Sequence, residues 1–191
     1  MKETTKKLTT RFIVRAGIFS ALAIILYMVS KLIPPMFGGF LKLHVDEIPM
    51  FIASFAYGPL MGIVVISVKT LISLIWTETA CIGELADFLY SVVFIIPAAI
   101  IYNKHRNFKS VLIGFEIGFV LQIIVSFFFN VLIMVPLFMG GYENFNFSES
   151  IVSIGLAATL PFNLIKNTIV IAATIPTYKA LHRLIDEINI W

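Results

Sequence analysis

Runs of about twenty apolar residues succeed one another along this chain with few charges between them, so the lipid bilayer is the one solvent in which most of it can fold. Hydrophobic residues fill 59% of the 191 positions and charged residues 13%, against roughly 25% charged in an average soluble domain. A helix rises about 1.5 Å per residue and the hydrocarbon is about 30 Å thick, so each crossing consumes roughly 20 residues. Six crossings nearly exhaust the length. The sequence therefore predicts an all-α membrane protein: a six-transmembrane-helix bundle forming one integral membrane domain over residues 1–191, surrounded by lipid bilayer. It leaves no room for a separate soluble catalytic or nucleotide-binding domain.

Proline and glycine set the punctuation. Helix one is expected from about Arg11 to Ile33, where Pro34-Pro35 withholds the amide donors a helix needs. After a loop with Gly38-Gly39, helix two starts at Asp46, whose carboxylate is placed to cap it, with Pro49 in its first turn. It ends at Tyr57-Gly58-Pro59, short for a full crossing. Helix three is expected from Pro59 to Trp76, helix four from Gly83 to Tyr102 and helix five from Lys109 to Phe138. Gly140-Gly141-Tyr142-Glu143-Asn144 reads as a loop and Ser150 to Ala158 as a short helix, after which Pro161 opens a last helix reaching Arg183. The first apolar run mimics a signal peptide, with Ala21-Leu22-Ala23 as a cleavage site, but it continues through Val29 and reads as an uncleaved helix. No internal repeat is evident, so an inverted-repeat transporter is not indicated.

Basic residues collect in cytoplasmic loops. Lys2, Lys6, Lys7, Arg11, Arg15, Lys104, Arg106, Lys109, Lys179 and Arg183, ten of the fourteen, fall on one side and place both termini in the cytoplasm. This bias accounts for the +3 net charge and gives no reason to invoke nucleic acid.

In that topology Asp46, Glu47, Trp76, Glu84, Asp87, Asn130, Asn163 and Lys166 gather at the outward ends of five segments. Hydrocarbon penalises each such group by several kcal/mol unless it meets protein or water, which implies a shared polar cavity. Thr159, Asn163, Lys166, Asn167 and Thr174 share a face of the last helix. Lys166 brings three donors and Asn163 both donors and an acceptor. Gln122, Ser126 and Asn130 form a second stripe, read as helix–helix contacts at Gln122 and Ser126 and as ligand contact at Asn130. Glu84 and Asp87 share a face at the entrance, and Trp76 is a candidate wall. Asp46 and Glu47 read as capping, solvated acids, and Lys69 as a structural ion-pair partner.

Other chemistry lacks its residues. There is no G-x-x-x-x-G-K-[ST], H-E-x-x-H or G-x-S-x-G, and His44, His105 and His182 are scattered, so no enzyme, cofactor or metal site is expected. Cys81 is the only cysteine and is read as a buried filler. Energised uptake would need another subunit. For such a partner helix one offers small residues four apart, Ala16 with Ser20 and Gly17 with Ala21.

LKLHVDEIPMFIASFAYGPLMGIVVISVKTLI, IGELADFL and PFNLIKNTIV, in that order and with Asn130 upstream of the last, make the chain similar to the substrate-binding S components of energy-coupling factor vitamin transporters, above all those for riboflavin. The resemblance implies a six-helix bundle whose outward pocket takes riboflavin beneath the loop between helices one and two. It implies vitamin contacts at Asn130, Asn163 and Lys166, with Glu84 in the matching helix-four segment. Asp87 stands where asparagine is expected. The family's A-x-x-x-A docking motif for the transmembrane T component becomes Gly17-x-x-x-Ala21 or Ala16-x-x-x-Ser20. The function so implied is riboflavin capture at the bacterial cell membrane, with a T component and two ATPase subunits as partners. Its rivals are an S component for FMN or another vitamin, and a stand-alone channel or proton-coupled carrier.

Overall fold

The computed structural model describes residues 9–34, 41–77, 79, 81–138 and 146–188. The expected loops at Gly38-Gly39 and 140–144 lie outside them, as do Pro35 and the first three lysines. Among the described residues, five helical stretches are long and apolar enough to cross a membrane: Thr10–Ser30, Pro59–Trp76, Ile82–His105, Phe108–Met134 and Phe147–Leu181.

The first is α1 (Thr10–Ser30), followed by α2 (Glu47–Tyr57) and α3 (Pro59–Ser73), which tightens into a 3-10 turn over Leu74–Trp76. At 11 residues α2 is too short to cross alone, yet nine of them are buried. It packs against α1, α3, α4 (Ile82–His105) and α8 (Leu160–Ile188), so protein rather than lipid surrounds it. A helix apolar on every side belongs in a core, and α2 is the axis around which the others stand. Gly58 makes the reversal into α3 at φ +96°, a conformation that strains other residues, and Pro59 starts the next helix where its missing N–H costs nothing.

α4 and α5 (Phe108–Phe129) form a tight antiparallel hairpin. Asn107 caps α5 by accepting the amide N–H of Ser110 at 2.8 Å. Gly114 and Gly118, one helical turn apart on α5, let the two backbones touch: a Cβ on Gly118 would sit 2.2 Å from the Phe94 carbonyl oxygen, and one on Gly114 2.9 Å from Ala98 Cα.

The helix expected from Lys109 to Phe138 runs to Phe138, but not as a uniform α-helix. A π-helical segment over Asn130–Met134 leads directly into α6 (Val135–Phe138). Likewise α7 (Phe147–Ser150) passes through a π-helical segment over Ile151–Thr159 into α8, so the short helix and the helix expected to open at Pro161 are one continuous rod. Proline strikes the carbonyl four residues before it. For Pro136 and Pro161 those carbonyls belong to Leu132 and Ala157, both inside the π segments, whose wider turns make room for the ring.

Aromatic rings fill the bundle below the first turn of α2. Phe51 meets Phe94 and Phe115 edge-on with centroids 4.9 Å apart, and Phe55 meets Tyr102 at 4.8 Å and Tyr178 at 6.0 Å. Gly118→Ala is expected to lower stability by about 1 to 3 kcal/mol as overpacking parts α4 from α5. Gly17→Ala, which meets nothing within 4 Å, should leave it equal or higher. Unfolding midpoints in detergent compare the two.

Candidate ligand-binding site

At the end of the bundle where α2 begins, a cavity of about 910 Å³, mouth included, opens between α1, α4, α8 and the segment leading into α2. Its lining brings together Glu84, Asp87, Asn130, Asn163 and Lys166, five of the residues singled out in the sequence. Tyr27, Tyr90, Leu41, Met134 and Phe162 supply apolar and aromatic wall, and Lys31, Lys42, His44 and Thr79 further polar groups.

Trp76 is not among the lining residues. It is 46% exposed at the end of the 3-10 turn, and its carbonyl oxygen accepts from Lys31 Nζ at 2.6 Å. The small-residue rows of α1 also divide: Ala16 and Ser20 are buried within the bundle, whereas Gly17 and Ala21 are exposed. Ala16 and Ser20 are thus taken up by the protein's own packing, and the free row is Gly17 with Ala21.

The larger departure lies behind the cavity. Asp46 and Glu47 are not solvated caps; they are 1% and 0% exposed, and Asp46 makes no side-chain cap. Lys69 Nζ stands 2.7 Å from Asp46 Oδ2 and also binds Asp87 Oδ2, while Lys166 Nζ donates to Glu47 Oε1 at 2.9 Å and lies 4.0 Å from Asp87 Oδ1. Ser91 Oγ donates to Glu47 Oε1 as well, at 3.3 Å. Asp87 therefore joins two ion pairs into one cluster spanning α2, α3, α4 and α8. Low polarity strengthens each attraction but makes an unpaired member costly. Lys69 also lies 4.6 Å from the Tyr27 ring centre, and His44 stacks on Tyr27 with centroids 5.1 Å apart and planes nearly parallel. Burial pushes the His44 imidazole below its usual pKa, favouring the neutral ring. Because Asp46 turns to Lys69 and Glu47 to Lys166, the His44, Asp46 and Glu47 side chains do not converge on a common point.

Glu84 is held differently. Thr77 Oγ1 and Thr79 Oγ1 donate to its Oε2 at 2.8 and 3.0 Å, fastening the segment before α4 to its first turn.

The amides form a third group, at the π segments. Asn130 opens one and Thr159 closes the other, and Asn130 Nδ2 donates to Thr159 Oγ1 at 3.3 Å. Tyr90 Oη donates to Asn130 Oδ1 at 3.0 Å. Asn163 Nδ2 donates to the Thr159 carbonyl oxygen at 2.9 Å, and Gln122 Nε2 to Asn163 Oδ1 at 2.9 Å. Gln122 is fully buried between α5 and α8, while Ser126 turns back to the Ile123 carbonyl. Two fixed amides, an ammonium group and two carboxylates thus face a partly aromatic hollow, a combination suited to orienting a flat, polar-edged molecule.

Lys166→Met should cost about 3 to 5 kcal/mol of stability by leaving Glu47 buried without its cation. Lys166→Met with Glu47→Leu should recover most of that loss, read as unfolding midpoints of the unliganded protein in detergent.

The family described as ECF transporter, substrate-specific component, matches residues 11–178. The chain is 27% identical over 176 residues to the riboflavin transporter RibU of Staphylococcus aureus (strain TCH60), covering 92% of this chain and 93% of that one. It is 25% identical over 162 residues to the riboflavin transporter FmnP of Bacillus subtilis (strain 168), covering 83% and 85%. Among solved structures it is similar to the S component of a bacterial ECF transporter, with a TM-score of 0.75 and 27% identity over 91% of this chain and 96% of the other. A match over nearly the whole bundle, cavity included, means that this chain belongs to the substrate-specific components of ECF transporters.

Proposed function

We propose that this S component captures riboflavin at the outer face of a bacterial cell membrane and delivers it inward when joined to a T component and two ATPase subunits. The observation that carries this reading is the juxtaposition of Asn130, Asn163 and Lys166 with Tyr27, Tyr90 and Phe162 around one cavity. A flavin is a flat ring with an apolar benzenoid end, a hydrogen-bonding pyrimidine end and a hydroxylated chain. The aromatic wall suits the first and the amides and ammonium group suit the others. The names of the two relatives agree with this ligand.

Six passes, with α2 a partial one, put both termini on the cytoplasmic side, where the basic residues concentrate, and turn the cavity outward. The exposed Gly17 and Ala21 row suits close approach by a T-component helix. Capture is favoured over conduction by the aromatic packing beneath the cavity: Phe51 and Phe55 lie one and two turns below Glu47 and close the bundle axis with Phe94, Phe115 and Tyr178. Riboflavin is favoured over FMN because Glu47 and Asp87 already offset the charge of Lys166.

Titrating the purified protein with riboflavin should quench flavin fluorescence at close to one ligand per chain, since tyrosine rings at van der Waals contact quench excited flavins. Fluorescence unchanged at protein excess would sink the proposal. FMN should compete more weakly. Asn163→Ala and Lys166→Ala should each weaken riboflavin binding by about 1 to 3 kcal/mol, measured by the same titration on protein whose helical circular dichroism is intact.

A further inference from the structure

Gln122 lies outside the cavity lining, yet it is completely buried and sits in the middle of a directed chain of amides. Asn167 Nδ2 donates to Gln122 Oε1 at 2.7 Å, Gln122 Nε2 to Asn163 Oδ1 at 2.9 Å, and Asn163 Nδ2 to the Thr159 carbonyl oxygen at 2.9 Å. An amide side chain can ordinarily turn over and exchange its donor and acceptor ends. Here the last acceptor is a backbone carbonyl, which has no proton to give. The Asn163 NH₂ must therefore face Thr159, its oxygen must face Gln122, and Gln122 must in turn offer its NH₂ and receive Asn167. One backbone oxygen sets the sense of three side chains.

We propose that Gln122 is a positioning residue for the ligand: by holding Asn163 from the side opposite Thr159, it fixes which hydrogen-bonding groups that amide turns to the cavity. This rests on Asn163 being a flavin contact. With one proton given to Thr159 and one lone pair taken by Gln122, Asn163 keeps one N–H and one lone pair. Asn130 keeps the same complement, because Tyr90 occupies its oxygen once and Thr159 Oγ1 its nitrogen once. A ribityl hydroxyl rotates to suit an amide of either sense. The pyrimidine edge of the flavin, a rigid carbonyl, N–H, carbonyl sequence, cannot, so the sense of the amides selects for that edge. Asn167 carries the cost, its Oδ1 being buried without a hydrogen-bond partner among the described residues.

Gln122→Met removes one of the two holds on Asn163 and frees its oxygen. Gln122→Met with Asn167→Leu does the same without leaving the Asn167 amide stranded, and serves where the single variant folds poorly. Each is titrated with riboflavin, and the bound flavin's carbonyl stretching bands are recorded by difference infrared or Raman spectroscopy. The expected result is about a tenfold loss of affinity together with moved carbonyl bands. Bands identical to those of the native complex would overturn the inference whatever the affinity, because a residue that merely supports packing changes how much flavin binds and not how its carbonyls are hydrogen-bonded. Failure of the native protein to bind riboflavin would instead count against the proposed function, and binding by native protein is measured first.

Discussion

The ion-pair cluster of Lys69, Lys166, Asp46, Glu47 and Asp87 is the interaction on which the rest of this bundle depends. Helices in lipid gain nothing from burying apolar surface against one another, since the surrounding chains are equally apolar. Charges inside are different. Each carboxylate or ammonium group is tolerable only beside its counterpart, so the pairing specifies which helices must adjoin and at what height. α2, α3, α4 and α8 meet at the level of Glu47, where each of the three carboxylates lies beside at least one of the two ammonium groups. The ligand cavity is the space immediately above that level, and Asp87 and Lys166 belong to both.

The charges also explain why a short helix occupies the centre. A lipid-facing α2 would carry two acids at its start and too few residues to reach across. Enclosed by four neighbours, it needs neither length nor a polar face, and its aromatic residues become the floor of the cavity.

Most of the architecture was legible because it follows from length, hydropathy and proline or glycine stops. The boundaries of α3 and α4 and the gathering of Glu84, Asp87, Asn130, Asn163 and Lys166 could be read from one-dimensional spacing. The paired acids could not. Asp46-Glu47 before an apolar run looks like a solvated helix start, and only three-dimensional proximity reveals that Lys69 and Lys166 await them. The two rows on α1 were equally ambiguous: Ala16 with Ser20 and Gly17 with Ala21 are offset by one residue, about 100° around the helix, and composition does not say which faces inward. The π segments left no periodic trace. Pro161 reads as a helix start, whereas it is absorbed within a continuous rod. Trp76 was placed at the correct end of its helix but on the wrong side, because the closing 3-10 turn shifts the angular register.

The Glu47–Lys166 pair joins residues 119 positions apart, and this bears on how the chain is made. Translation delivers α2 to the membrane long before α8 exists. Until α8 emerges from the ribosome, Glu47 lacks the Lys166 ammonium group that neutralises it, and α2 is too short to settle across lipid by itself. Its stable seating must therefore wait for α8, when the nascent protein brings its first acidic turn against a helix made 119 positions later.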